Sequence, residues 1–280
     1  MDGSASRIGS LGRSRAGQLL TGTMGSRSLL YKALRRFFAV LGLGVAGLPM
    51  HALGAPPSDR AGLAWVGRFE SDLGPWREVR LKSGQSPNSY RLIDWDGARA
   101  VEVSSMSSMS LLARPANIDL ISTPVLCWRW RVDASLSRAD MTQRDGDDYA
   151  ARVYISFRLP PASLGFALRA QLVLARALWG QDLPDAAINY VWDNRQPVGT
   201  TRPNAYTDRV QMVVLRSGDA EAGRWIWERV DVQRDAMRLF GPDVQPIQLA
   251  ITADTDNTGS TARSGFADLH FVAADRPCSQ

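Results

Sequence analysis

The sequence predicts an all-β protein: an antiparallel, jelly-roll-like β-sandwich with one amphipathic helix inserted near residues 163–180. Three observations predict it. Short segments of alternating apolar and polar residues recur from Leu63 to Val272, the period-2 mark of strands with one buried face. Turn-forming residues separate them, as at Asp72-Leu-Gly-Pro75, Asp96-Gly97 and Ser217-Gly218, where glycine, proline and aspartate favour tight backbone geometry. One long segment, Ser163 to Gly180, instead spaces its apolar residues at helical intervals. Many short strands with turns between them favour a sandwich over a parallel α/β sheet.

In chain order, Leu63 to Glu70 and Trp76 to Leu81 are predicted strands on either side of the Asp72–Pro75 turn. Tyr90 to Trp95 and Arg99 to Ser104 flank Asp96-Gly97, a two-residue hairpin signal. Ser107 to Arg114 and Asn117 to Ile121 continue as short β pieces. In Val125 to Asp133, Leu126, Trp128, Trp130 and Val132 share one face, and aliphatic neighbours make that a core face rather than a sugar-stacking surface. The cleanest alternation follows: Tyr149, Ala151, Val153, Ile155 and Phe157 point one way, Arg152, Tyr154 and Ser156 the other. Leu164, Leu168, Leu172 and Ala175 define the helix, which Gly180 is placed to end. Strand signals resume at Ala187 to Trp192, Thr207 to Arg216 and Arg224 to Val232. Alternation leaves the buried face of Trp225-Ile-Trp-Glu-Arg229 open. A short helix from Asp231 to Phe240 precedes the last two strands, Pro246 to Thr252 and Phe266 to Val272.

The 280 residues are 45% hydrophobic and 22% charged, ordinary globular composition. The formal net charge is +5, yet residues 1–55 hold seven basic side chains against Asp2 alone, so the remainder stands at −1. Phosphate recognition needs a basic patch on the folded part, and no nucleic-acid partner is expected. Lys32, Arg35 and Arg36 precede an apolar run from Phe37 to Leu48, and Ala52-Leu-Gly-Ala55 offers small residues for cleavage. That run is shorter than the ~20 residues of a spanning helix. Residues 1–55 are therefore expected to be a removed signal peptide with an over-long lead, and residues 56–280 a single periplasmic domain without a transmembrane anchor. The two cysteines, Cys127 and Cys278, pair only if the tail folds back along the Cys127 strand; two separate thiols are the alternative.

Chemistry-bearing residues concentrate in two acidic stretches. Asp145, Asp147 and Asp148 precede the Tyr149 strand. Glycosidases need two carboxylates facing each other about 5–10 Å apart, whereas adjacent strand residues point opposite ways. Asp147 and Asp148 do not make that pair; one of them opposite Asp254 or Asp256 would. Arg152 either takes part in binding or neutralises these acids. The second stretch, Asp254-Thr-Asp-Asn-Thr-Gly259, has oxygen side chains at alternate positions as in the first half of a calcium loop, but Gly265 occupies the position of the EF-hand glutamate. A looser calcium site with Asp254 and Asp256 as ligands competes with a simple turn bonded through its own Asp and Asn side chains. His270 is the one histidine after residue 55, which excludes a histidine-rich zinc site. No Gly-x-Ser-x-Gly elbow, phosphate loop or dinucleotide fingerprint occurs.

Trp128-Arg-Trp130, Asp147-Asp148-Tyr149 with Ala151-Arg152, Asn189-Tyr190-Val191-Trp192, and Asp254 to Gly259 followed by Phe266-Ala-Asp268 together resemble the bacterial family called domain of unknown function 3047. The resemblance spans about Ala64 to Val272 and implies an exported protein without assigning an activity. The strand layout is also similar to the galactose-binding-like jelly rolls of carbohydrate-binding modules. The expected function is binding of a carbohydrate or other cell-envelope ligand by Asp147, Asp148, Arg152, Tyr190, Trp192 and Asn257, with calcium at Asp254 and Asp256. The alternatives are a glycoside hydrolase or polysaccharide lyase using the same acids, and an envelope scaffold with no small ligand.

Overall fold

The computed structural model describes residues 62–81, 84–179 and 183–279; the expected signal segment lies outside them. Two β-sheets pack face to face. The six-stranded sheet has the order β11 (Ile226–Asp231), β6 (Val125–Val132), β13 (Thr261–Val272), β4 (Ala98–Met106), β3 (Ser89–Trp95), with β1 (Leu63–Gly67) on the far half of β13. The seven-stranded sheet has the order β2 (Arg77–Val79), β5 (Leu111–Pro115), β12 (Gln245–Asp254), β7 (Tyr149–Arg158), β8 (Ala186–Asp193), β10 (Thr207–Ser217), β9 (Thr201–Asn204). Pairing is antiparallel except between β8 and β10, which run parallel.

Aromatic rings join the layers. Trp128 and Trp130 meet edge to face at 5.5 Å, Trp128 lies 6.0 Å from Tyr190, and Trp130 lies 5.8 Å from Trp192. The predicted core face of β6 is thus the inter-sheet core. The hairpin at Asp96-Gly97 forms as expected, with both residues at positive φ, the backbone that a two-residue turn of this hand requires. Helix Val232–Phe240 caps one end of the layers: Asp231 accepts from Arg234 N, and Phe240 packs on Phe157 at 5.9 Å.

Several expectations need correction. Residues 117–121 are irregular chain running into a turn at 120–122, not a strand, because the Asp119 side chain accepts from Ile121 N and Ser122 Oγ and competes with sheet pairing. Tyr149 lies with Arg152 rather than with Val153. Thr252 pairs with Arg152 and Asp254 with Tyr149, so β7 carries one extra residue there, and such a bulge turns the side chains before it to the other face. Edge strand β9 was not foreseen; Pro203, which donates no ladder hydrogen bond, is tolerated at an edge. Helix Phe166–Trp179 forms as predicted and buries Leu172, yet Phe166, Val173 and Leu174 stay 53% or more exposed. Arg176 Nη2 donates to Asp185 Oδ1 at 2.6 Å.

Cys127 and Cys278 form a disulfide, with Cα atoms 5.8 Å apart. The tail after β13 therefore crosses the outer side of the six-stranded sheet. There it buries His270, whose Nε2 accepts from Ser279 N while Nδ1 donates to the Asp268 carbonyl. Alternation with Leu269 and Phe271 turns His270 away from the inter-sheet core, and the tail is what covers it. Burial holds its imidazole below the ordinary value.

Candidate functional site

The two acidic stretches meet, as expected, at the edge of the β7–β12 pair. A short 3-10 turn, Arg144–Gly146, delivers Asp147 and Asp148 to the start of β7. The Gly146 carbonyl accepts from both Asp140 N and Asp148 N, each at 2.8 Å, so the loop is wound around this glycine. A Cβ at position 146 would lie 2.8 Å from Asp140 N and 2.9 Å from Asp140 O. Backbone cannot step aside as a side chain can. Gly146→Ala is expected to lose about 1–3 kcal/mol in urea unfolding, and an unchanged midpoint would show that the loop does not hold the acids in place.

The adjacent acids diverge. Asp147 accepts from Asn204 Nδ2 at 2.9 and 2.8 Å and from the Tyr149 hydroxyl at 3.1 Å. Asp148 clamps the other stretch, accepting from Asn257 N (3.1 Å), Asn257 Nδ2 (3.2 Å), Thr258 N (2.7 Å) and Thr258 Oγ1 (2.6 Å). Asp254, at the end of β12, pairs with Arg152 of β7. With the Asn189 amide oxygen turned to the guanidinium, it accepts from Arg152 Nη2 at 2.6 Å and Nε at 2.9 Å. The Tyr149 and Tyr154 rings flank the same guanidinium at 4.5 and 4.9 Å.

Burial governs the electrostatics. Asp147, Asp148, Arg152 and Asp254 are all 5% exposed or less. Burial raises the Asp147 carboxyl, with Arg152 and Asn204 opposing it, and raises Asp254 well above the ordinary carboxylate range. Burial alone would lower Arg152, but Tyr154, Asp147 and Asp254 hold it above its ordinary value. Asp254 Oδ1 receives no hydrogen bond. The neighbouring Asp256 carboxyl approaches Asp254, a contact that bonds only if one of the two acids carries a proton. Half-buried Asp256 and Asn257 form the rim with Tyr206, whose hydroxyl donates to Arg144 O at 2.5 Å and which burial pushes up to about 12.

Five predicted ligand residues thus converge, counting Asp147, Asp148, Arg152 and Asn257 with metal candidate Asp254, and Asp256 adjoins them. Tyr190 and Trp192 do not. They are 0% and 1% exposed in the inter-sheet core, with Tyr190 bonded to Asp235 and Trp192 Nε1 to Gly218 O. Neither ring has a face left for a sugar. Sequence reasoning missed Asn189 and Thr258 as partners although their blocks were singled out, and missed Asn204 and Tyr206, which no spacing marks.

A second face stands out on the outer side of the six-stranded sheet. In β11, Glu228 points inward and accepts from Trp130 Nε1 (2.9 Å) and Arg216 Nε (2.6 Å), so Trp225 and Trp227 point outward, half-buried. Trp225 and Trp95 converge over Gly265, where a Cβ would lie 2.7 Å from the Trp225 ring. The guanidinium of Arg129, ion-paired to Asp268, sits 5.8 Å from the Trp225 ring and 5.2 Å from that of Trp227. Asp268 has φ 56° at a β-bulge between Ala267 and His270, a kink that re-aims its carboxylate. Arg131 lies over Trp95 at 4.2 Å and pairs with Asp96 at 2.5 Å.

A family model described as "Protein of unknown function (DUF3047)" matches residues 74–270. No curated protein matches the chain. Among solved structures, the xyloglucanase domain of NopAA, a type three effector from Sinorhizobium fredii in complex with cellobiose, is 9% identical over 82% of this chain and 100% of that chain, with a TM-score of 0.37. SGBP-B from a complex xyloglucan utilization locus in Bacteroides uniformis is 14% identical over 75% of this chain and 49% of that one, at 0.32. A family 12 xyloglucanase from Bacillus licheniformis in complex with ligand is 8% identical over 75% and 92%, at 0.30.

Proposed function

The chain belongs to the DUF3047 family, and from that premise we propose that it is an exported envelope protein that binds a carbohydrate on the outer face of its six-stranded sheet. One observation carries this: Trp225, just before edge strand β11, and Trp227 within it project to the same side, with the Arg129–Asp268 pair beside both rings. Indole faces pack against the C–H faces of pyranose rings, while a guanidinium and a carboxylate supply in-plane donors and acceptors for hydroxyls. The Cys127–Cys278 disulfide supports an oxidising compartment, as export to the periplasm provides. No helix among the described residues is long and apolar enough to cross a membrane.

Binding is favoured over hydrolysis by the state of the acids. Asp147, Asp148 and Asp254 are buried and bonded within the chain, so none reaches a glycosidic oxygen as the general acid that hydrolysis needs. In this reading the acidic cluster supports the fold, and its rim residues Asp256 and Asn257 are those a ligand can touch.

The test is intrinsic tryptophan fluorescence titrated with soluble envelope glycans and β-glucans. Trp227→Ala is expected to weaken binding about tenfold or more, about 1.4 kcal/mol, with the Tm followed in parallel. Equal affinity of the variant would remove the face from consideration. Silence across the whole panel would leave the scaffold alternative.

A further inference from the structure

We propose that Asp148, Asp254 and Asp256 bind one hard divalent cation, calcium by their donor chemistry, which pins the Asp254–Gly259 loop to the entrance of β7. Each acid offers one carboxylate oxygen, and these oxygens lie within 4.8 Å of one another. Calcium takes oxygen ligands at about 2.3–2.6 Å, so two ligands on opposite sides of the ion stand about 5 Å apart at most. The three carboxylates are spaced to share one such ion.

A group of acids is not a site by itself, and a second observation points to a ligand here. Asp254 is 4% exposed, and its Oδ1 has no donor although its Oδ2 is held by Arg152. Beside it, Gln85 donates Nε2 to Asp256 Oδ2 at 2.6 Å, and the Oε1 of the same amide is also buried without a partner. Two orphaned acceptors next to one acid call for something positive, because a buried oxygen without a donor or cation is costly. Charge points the same way. Among the described residues, Asp147, Asp148, Asp254 and Asp256 face one buried guanidinium, Arg152, a formal excess of three negative charges. The exposed Arg144 instead donates its Nε–H to Ala205 O. One shared proton removes one of those charges; a divalent ion removes two and fills the gap between all three carboxylates. Every donor is oxygen, with no sulfur or imidazole, which selects calcium over the softer transition metals.

The ion has a mechanical consequence. Asp148 already clamps Asn257 and Thr258, so a cation shared with Asp254 and Asp256 would tie both ends of that loop to the residue that begins β7. This site is separate from the tryptophan face, and either proposal can fail without the other.

The experiment uses the full chain freed of metal by chelation and then titrated with calcium chloride, followed by thermal unfolding and by terbium luminescence sensitised through Tyr206 and Tyr154. Calcium at a hundred times its Kd is expected to raise the Tm by about 5–10 °C, and terbium emission should appear and be displaced by calcium. Asp256→Asn should abolish both responses while folding without metal at least as well as the parent, since it removes a like charge from Asp254. Exposed Asp208→Asn should keep both. Should Asp256→Asn fail to fold, Gln85→Leu provides the second variant, with the calcium midpoint moved several-fold higher. No Tm response to calcium, or an undiminished response in Asp256→Asn, overturns the proposal and leaves a proton shared between Asp254 and Asp256.

Discussion

Arg152→Ala is expected to lose about 3–5 kcal/mol of folding stability. The guanidinium is 2% exposed. It pairs with Asp254, it is bonded to Asn189, and two tyrosine rings flank it. Removing it strands the Asp254 carboxylate in a medium that cannot solvate it. Arg152→Lys should fall between, since an ammonium restores the charge but not the fork that reaches Asp254 and Asn189 together. Urea unfolding at neutral pH measures both variants. A loss below about 1 kcal/mol for alanine would mean that water already reaches the cluster.

Removing the Cys127–Cys278 disulfide, by reductant or by the double Cys→Ala variant, is expected to cost about 2–5 kcal/mol. The bond spans 151 residues of sequence and so closes a loop in the unfolded chain that contains every strand from β7 to β13. It also holds the tail over His270, where Ser279 N bonds Nε2. Thermal unfolding with and without reductant reads the loss, and limited proteolysis should release the tail first. Equal unfolding temperatures in the two conditions would contradict both roles of the bond.

Features with a local cause were legible in the sequence. The Asp96-Gly97 hairpin follows from two backbone conformations, and the Trp128–Trp130 core face follows from alternation beside Leu126 and Val132. The sequence pointed Asp147 and Asp148 toward the Asp254–Gly259 loop only by requirement, because adjacent residues diverge and a facing carboxylate has to come from another strand end. Features set by a neighbour were not. Every residue of β8 is buried, so alternation could not tell that Tyr190 and Trp192 face the other sheet while Asn189 faces Arg152. The displacement of Tyr149 comes from the register of β12, which the β7 sequence does not contain. The outward tryptophans of β11 are fixed by Glu228, whose partners Trp130 and Arg216 come from other strands.

The borders of the seven-stranded sheet carry one more consequence. One border is β2, three residues long with Arg77 and Glu78 exposed; the other is β9, four residues interrupted by Pro203. Neither presents a long row of free amides and carbonyls onto which a foreign strand could zip. Molecules of this protein crowded together are therefore guarded against fusing edge to edge along that sheet.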